Sequence, residues 1–375
     1  MEQAMKKNDL IAEINLDKIG ENVKALKNLA GQSTALMAVV KADGYGHGSV
    51  QVGKKALENG ASLLGVARAD EALKLRENKI DSRILTLGYP CEDMIKEICE
   101  NNIDVSVYDF ETAKLVSSKA KELNKKIKVH IKVDTGMGRV GITGDVNEIT
   151  QEVKKIRELE NLDPVGIFTH FATADEKDLD YANFQMNKFS SILKSLEEQK
   201  ISFEFFHCAN SAGLMNIKES RKSLVRPGIS IYGFYPSPDV DTNIVSLTPA
   251  MTLKARIVQV KNVKKGFYVS YGRTWKAQKD SKLATLTLGY ADGFSRLLSS
   301  NTDFLINGKK APLRGRICMD LCVADVTDIE NVNPGDYAVI FTNKEITADY
   351  HAKRLGTINY EIVSSLTSRA KRVYI

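Results

Sequence analysis

Two textures alternate along the first two-thirds of the chain. Short apolar, β-prone runs occur at 35–41, 62–67, 83–88, 103–107, 127–133, 164–170 and 203–208. Runs of this length that end in turn residues are the pattern of buried strands. Between them, apolar residues recur at helical spacing over 52–58, 70–78, 110–123, 147–159 and 181–199, and one more such stretch, 16–29, precedes the first strand. An eighth strand falls at either 222–226 or 229–232; Pro227-Gly228 separates the two, and proline cannot donate to a ladder. The first choice puts Arg226 at a strand's C-terminal end. Strand–helix units repeated in this way predict an α/β protein with an eight-stranded parallel (β/α)8 barrel, a fold of roughly 250 residues. A doubly wound open sheet is the competing architecture.

The texture then changes. Pro236, Pro238 and Pro249 bracket a polar segment, 237–247, that reads as a linker. Beyond it come closely spaced β-prone runs at 251–260, 267–271, 284–290, 321–326 and 337–341, with turn dipeptides Asn307-Gly308 and Pro334-Gly335. The one long helical pattern there is 359–369. The predicted division is a barrel domain, 1–245, followed by a smaller, mainly-β C-terminal domain, 246–375.

A chain of 375 residues fits two domains, and 43% hydrophobic content is ordinary for a globular protein. No apolar stretch has the length of a membrane span, and Met1-Glu2-Gln3-Ala4-Met5-Lys6-Lys7-Asn8-Asp9 lacks the apolar core of a secretory signal. The net charge of +6 comes from 53 basic and 47 acidic residues, with no basic block interleaved with aromatics, so neither nucleic acid nor a membrane is an expected partner. The five cysteines, Cys91, Cys99, Cys208, Cys318 and Cys322, form no Cys-x-x-Cys pair, and the five histidines show no metal-ligand spacing. Thiols in a reducing, cytoplasmic compartment and no metal are the expectation.

Candidate chemistry gathers at strand ends. Lys41 closes the run Ala35-Leu36-Met37-Ala38-Val39-Val40 and opens Ala42-Asp43-Gly44-Tyr45-Gly46-His47-Gly48. Partial desolvation there favours the free amine, as a Schiff-base lysine requires; a snorkelling lysine is the plainer alternative. Gly136-Met137-Gly138-Arg139-Val140-Gly141 fits G-x-G-x-x-G. No helix opens inside those glycines, however, and the next strand ends in Thr169-His170 without a ribose-binding carboxylate, so a tight turn presenting Arg139 fits better than a dinucleotide site. A guanidinium there suits a carboxylate or a phenolic oxygen. His170 is either hydrogen-bonded packing at a strand end or, if a second cation is near, a neutral ring that orients a neighbour. Asn210 and Ser211, after His207-Cys208-Ala209, are either phosphate donors or plain helix caps. Tyr271, in Val269-Ser270-Tyr271-Gly272-Arg273, needs nearby cations to act as a base, because an ordinary phenol titrates near pH 10. Cys318 fits packing better than nucleophilic chemistry. Tyr360 opens the last helical pattern, where its hydroxyl reaches an anion or its ring simply packs.

Lys41, Arg139, His170, Ser211 and Arg226 all fall at C-terminal ends of predicted barrel strands, the face on which such barrels build their sites. Together with Val225-Arg226-Pro227-Gly228-Ile229, Lys132-Val133-Asp134-Thr135-Gly136-Met137-Gly138-Arg139, Gly289-Tyr290-Ala291-Asp292-Gly293 and Ile317-Cys318-Met319-Asp320, the chain resembles the alanine racemases over nearly its whole length. These are pyridoxal 5'-phosphate enzymes of the barrel-plus-β-domain type.

The resemblance implies a set of roles. Lys41 holds the cofactor through a Schiff base. Tyr45, Ser211, Tyr360 and the backbone of Gly228 and Ile229 hold its phosphate, with Asn210 beside Ser211. Arg226 meets the pyridine nitrogen, and His170 and Arg226 form a hydrogen-bonded chain behind Tyr271. Arg139 contacts the phenolic oxygen and the substrate carboxylate, and the backbone N–H of Met319 helps bind that carboxylate. Lys41 and Tyr271 are the two bases, one for each face of the alanine Cα. Tyr271 and Met319 come from the other chain of a head-to-tail homodimer. Lys132 matches a lysine that some members carry as a carbamate. The implied product is D-alanine for peptidoglycan. A racemase acting on serine or lysine, a barrel-type decarboxylase, and a pyridoxal-phosphate carrier without turnover are the alternatives.

Overall fold

The structure, a computed structural model, describes residues 8–375, so residues 1–7 of the segment read above for a leader lie outside the described residues. Its contacts divide the chain into two units.

The unit formed by Ile19–Gly44 and Ser49–Leu247 is the barrel. Eight parallel strands follow one another in sequence order: β2 (Ala35–Val39), β3 (Leu63–Val66), β4 (Arg83–Thr86), β5 (Asp104–Val107), β6 (Ile127–Lys132), β7 (Leu162–Phe168), β8 (Phe205–His207) and β9 (Leu224–Val225). β9 returns to pair with β2 through Ala35↔Leu224 and Leu36↔Val225. The seam between β8 and β9 is held by Phe206 N–H donating to Ser223 Oγ (2.7 Å) and Arg226 N–H donating to Ala209 O (2.9 Å). Helices α1 (Leu16–Ala30), α2 (Ser49–Glu58), α3 (Ala69–Glu77), α4 (Ile95–Glu100), α5 (Phe110–Glu122), α6 (Val146–Arg157), α7 (Asp180–Glu198) and α8 (Ser211–Asn216) connect or precede the strands. The strands are apolar on both faces, as parallel sheets covered on both sides must be. Their few polar positions, such as His130 and Lys132 on one face of β6, therefore stand out.

The eighth strand takes the first of the two sequence choices. Residues Ile229–Tyr232 instead form a 3-10 turn, with Tyr232 donating from its hydroxyl to Val39 O (2.9 Å).

The described residues up to Lys18, the segment Tyr45–Gly48 and Thr248–Ile375 form the second unit. The predicted division kept everything before residue 246 with the barrel; the contacts group the first strand with the C-terminal unit because β1 (Leu10–Ile14) pairs antiparallel with β10 (Met251–Val263) and parallel with β18 (Lys371–Tyr374). β10 also pairs antiparallel with β13 (Ser281–Leu286), from Ile257↔Leu286 to Val263↔Ser281, with a register break between Ile257 and Gln259. β13 pairs with β16 (Cys322–Asp325), while β17 (Tyr337–Phe341) joins β10 to β14 (Asp303–Ile306), and β14 to β15 (Lys309–Pro312). A small hairpin of β11 (Tyr268–Val269) and β12 (Trp275–Lys276) stands apart. Helices α9 (Ala348–Leu355) and α10 (Asn359–Ser364) complete the unit. Among the described residues no helix is long and apolar enough to cross a membrane.

Candidate active site

Lys41 follows β2 after one residue, Val40. The chain then makes a left-handed turn, with φ of 52° at Ala42, 50° at Asp43, 63° at Gly44 and 49° at Tyr45. Left-handed backbone costs a non-glycine residue roughly 1–2 kcal/mol, so the turn has to be held from outside. Glu71 at the start of α3 accepts from Ala42 N–H (2.6 Å) with one oxygen and from Ala67 N–H (2.7 Å) with the other. Asp43 accepts from Ser49 N–H (3.1 Å) and from Lys74 Nζ (2.7 Å). The Lys41 amine is pushed below the usual lysine range by burial first and by Arg139 second, against a smaller opposing pull from Glu71.

Arg139 sits in the glycine turn after β6. Asp134 organises that turn by accepting from Gly136 N–H (2.8 Å), Met137 N–H (2.7 Å) and Arg139 N–H (3.1 Å). Burial alone would raise the Asp134 pKa, but these N–H groups outweigh it and the pKa falls. The next helix, α6, opens only at Val146, behind the cap of Asp145, so the glycines form no helix N-terminus. Lys132 is 3% exposed with its Nζ over the Phe168 ring (5.7 Å), and burial, Arg139 and Arg226 bring its pKa down to about 8.

Arg226 is 4% exposed at the end of β9. Its Nη1 donates to His207 Nδ1 (2.9 Å), and its Nη2 donates to Thr169 O (2.9 Å) and His170 Nδ1 (3.3 Å). The Phe168 ring lies beneath it at 5.3 Å. Burial pushes its pKa to about 10, still well above neutrality. His170 falls far below the ordinary imidazole value through burial and then through Arg226, Lys132, Arg139 and Lys41. One neutral histidine thus lies within the field of four cations. Its loop is braced by Gln185, which donates to His170 O (2.9 Å) and accepts from Ala172 N–H (2.9 Å).

Ser211 Oγ accepts from Gly228 N–H (3.0 Å) and Ser230 N–H (3.4 Å). Asn210 uses its side-chain oxygen to cap α8, accepting from Gly213 N–H (2.8 Å). In the second unit the Tyr45 and Tyr360 rings lie 6.1 Å apart. Tyr271 stands on a 3-10 turn, Tyr271–Arg273, between β11 and β12 and is 68% exposed; Met319 is 54% exposed. The Met319 loop is fixed by Tyr290 N–H donating to Cys318 O (3.1 Å) and Ala291 N–H donating to Met319 O (3.0 Å). Gly289 is required there, because a Cβ on it would lie 2.1 Å from Met319 O.

The barrel unit therefore brings together Lys41, Lys132, Arg139, His170, Ser211, Arg226 and the Gly228–Ile229 backbone, while Tyr45, Tyr271, Met319 and Tyr360 belong to the other unit. Glu71, Asp134 and Phe168 are supports that no sequence signal marked.

These residues fit pyridoxal 5'-phosphate. A lysine with a lowered pKa suits its aldehyde, and a buried guanidinium suits its ring nitrogen. Hydroxyl and N–H groups around Ser211 suit a phosphate, and there the fully buried Ser230 Oγ has no hydrogen-bond partner among the described residues. Among the described residues no cluster of His, Cys, Asp or Glu is arranged to hold a metal.

Comparison with known proteins gives the same picture. Residues 14–236 match the family described as alanine racemase, N-terminal domain, and residues 250–374 match alanine racemase, C-terminal domain. The chain is 47% identical over 369 residues to the alanine racemase of Desulforamulus reducens, covering 98% of this chain and 100% of that one. It is 46% identical over 367 residues to that of Methanococcus maripaludis, covering 97% and 98%. The solved structure of alanine racemase from Clostridium difficile 630 superimposes with a TM-score of 0.94 at 39% identity, over 98% of this chain and 96% of that one.

Proposed function

The chain belongs to the alanine racemase family, and from that premise we propose that it interconverts L- and D-alanine with pyridoxal 5'-phosphate by a two-base mechanism in a shared-site homodimer. The observation that carries the reading is the Lys41 amine, held at the end of β2 with its pKa lowered by burial and Arg139.

Bound pyridoxal phosphate supplies an aldehyde that takes the substrate amine and a ring that acidifies the Cα–H. The chain's residues do the rest. Ser211 with the Gly228–Ile229 backbone, and Tyr45 and Tyr360, hold the phosphate. Arg139 and the backbone N–H of Met319 of the partner subunit hold the alanine carboxylate. Lys41 Nζ takes or returns the Cα proton on the D-alanine face, and Tyr271 of the partner subunit does so on the L-alanine face.

Arg226 acts twice. Its Nη2 donates to His170 Nδ1, so the hydrogen of that neutral ring is on Nε2, ready to donate to the phenolic oxygen of the partner subunit's Tyr271. The adjacent positive charge then favours the phenolate. Arg226 also stays protonated at neutral pH, because its pKa falls only to about 10. It would meet the ring nitrogen as a cation with no proton to give, so a bound cofactor would be a weaker electron sink with fewer side reactions.

Lys132 fits carbamylation. With its pKa lowered to about 8, a larger fraction of it than of an ordinary lysine is neutral amine near neutral pH, and a carbamate formed from that amine with carbon dioxide, releasing one proton, would set a negative charge beside Arg139. Intact mass in bicarbonate buffer should rise by one carbon dioxide and should not rise in Lys132→Met. The D-alanine product serves peptidoglycan, as complementation of a D-alanine auxotroph would test.

The main test is optical. L-Alanine should lose its rotation only when pyridoxal phosphate is present, and serine and lysine should turn over far more slowly. Protein that binds the cofactor but leaves L-alanine unchanged would sink the reading.

A further inference from the structure

Beneath Arg226 the barrel interior carries a line of polar side chains that no step above uses. Arg226 Nη1 donates to His207 Nδ1 at 2.9 Å, and His207 Nε2 lies 2.9 Å from His130 Nδ1. His130 Nε2 is 3.6 Å from Asp104 Oδ2. Arg83 donates to Asp104 Oδ2 from Nη2 (2.8 Å) and Nε (3.1 Å), and from Nη1 to both oxygens of Glu204 (2.8 Å). His130 on β6 meets His207 on β8 although β7 lies between them in the sheet, so both rings point into the interior. The line runs from the C-terminal ends of β8 and β9 to the N-terminal ends of β4 and β5.

The rings are packed for this purpose. Phe168 stacks on His207 at 4.7 Å and Phe205 on His130 at 5.9 Å. Gly166, opposite His130 in the ladder, is the residue that makes room: a Cβ there would lie 2.2 Å from His130 Nδ1. Both histidines are wholly buried.

Direction in the line follows from hydrogen-bond chemistry. A guanidinium donates and never accepts, so His207 Nδ1 must accept and the ring's hydrogen sits on Nε2. That hydrogen is given to His130 Nδ1, which also accepts. His130 therefore carries its own hydrogen on Nε2, facing Asp104. Reversing the rings would set two N–H groups against each other at Arg226. Burial keeps both rings uncharged, and Arg226 adds to this at His207 while Asp104 opposes it at His130.

We propose that His130 is a positioning residue for the reaction: by accepting from His207 Nε2–H it anchors the far edge of the His207 ring, keeps Nδ1 aimed at Arg226, and so fixes the guanidinium that meets the cofactor's ring nitrogen. The proposal rests on the role given to Arg226 above.

The test uses the full-length protein, histidine-labelled with nitrogen-15, with and without pyridoxal phosphate. His130→Leu removes the acceptor but keeps bulk; His130→Asn keeps an acceptor oxygen near the Nδ1 position. In the unaltered protein His207 should be neutral with its hydrogen on Nε2 in both states. In His130→Leu the His207 hydrogen should stay on Nε2, as Arg226 requires, but lose its acceptor, so the Nε2–H signal should move upfield and exchange faster with solvent, and kcat should fall about ten-fold, the loss of one buried hydrogen bond, with KM for alanine little changed. His130→Asn should restore both signals and rate. A charged His207, a hydrogen on its Nδ1, or a slower His130→Leu enzyme with unmoved His207 signals would overturn the proposal. Should His130→Leu fail to fold, the unaltered protein and His130→Asn still decide it. Failure of the protein to take up pyridoxal phosphate would instead defeat the reading of the site, since the tautomer is measured without cofactor as well.

Discussion

The two ends of the barrel interior treat charge in opposite ways. At the N-terminal ends of the strands, Arg83 is set between Asp104 and Glu204; burial alone would lower its pKa, but the two carboxylates outweigh that and raise it. At the C-terminal ends, Lys41, Lys132, Arg139 and Arg226 crowd around His170, and the pKa values of Lys41, Lys132 and Arg226 all fall. One end matches its charges internally, and the other holds an excess of cations that an anionic ligand would relieve. This is the division between a stabilising face and a chemical face expected of such barrels.

The sharpest way to break the contrast is Lys41→Ala. Interconversion of alanine should fall about 10⁴-fold or more, since a covalent anchor and a base are lost together, while the thermal midpoint of the cofactor-free protein stays put; a collapse of stability would mean the two ends do not differ in kind. Next, Tyr271→Phe should cost about 10²–10³-fold, and mixing refolded Tyr271→Phe and Lys41→Ala chains should restore activity to one site per heterodimer. Dead mixtures of well-folded chains would remove the second copy from the site.

At the other end the expected effect is on stability. Arg83→Leu leaves Asp104 buried without its main partner and should destabilise the protein by about 2–3 kcal/mol in urea unfolding, with a far smaller change in rate per folded molecule. The smallest effect is on pH dependence. The folded-state pKa of Lys132 is about 8, below the 10.5 of the unfolded chain. Between those values the unfolded state binds more protons, so stability should rise with pH across this window. Measured in bicarbonate-free buffer, the thermal midpoint should climb less in Lys132→Met than in the unaltered protein.

Much of the barrel was legible because its strands are unbroken apolar runs and its helices keep a clear period. Residues 337–341 were read to the residue, since Tyr337–Phe341 is a strand between turns. Other parts left no local trace. The eighth strand is only Leu224–Val225, cut short by Pro227. Helix α9 buries only Ala348, His351 and Ala352, too little apolar surface to show a period. The pairing of β1 with β10 and β18 joins segments about 240 to 360 residues apart, which a five-residue strand cannot announce. In the candidate site, Lys41 and Arg226 were visible because each closely follows a strand, and Arg139 because a glycine turn after a strand presents it. The His130–His207 pair, 77 residues apart, has no spacing rule and becomes visible only once β7 is known to separate the two strands.

The left-handed turn after Lys41 has a bearing on protein engineering. Ala42, Asp43 and Tyr45 adopt a backbone that few side chains accept, and Glu71, Ser49 and Lys74 clamp the first two of them from elsewhere in the barrel. Transplanting residues 38–48 onto a foreign scaffold should therefore yield an ordinary, right-handed loop and an unreactive amine. The nucleophile is a property of the socket that grips the peptide, so a successful graft would have to carry Glu71, Ser49 and Lys74 along with it.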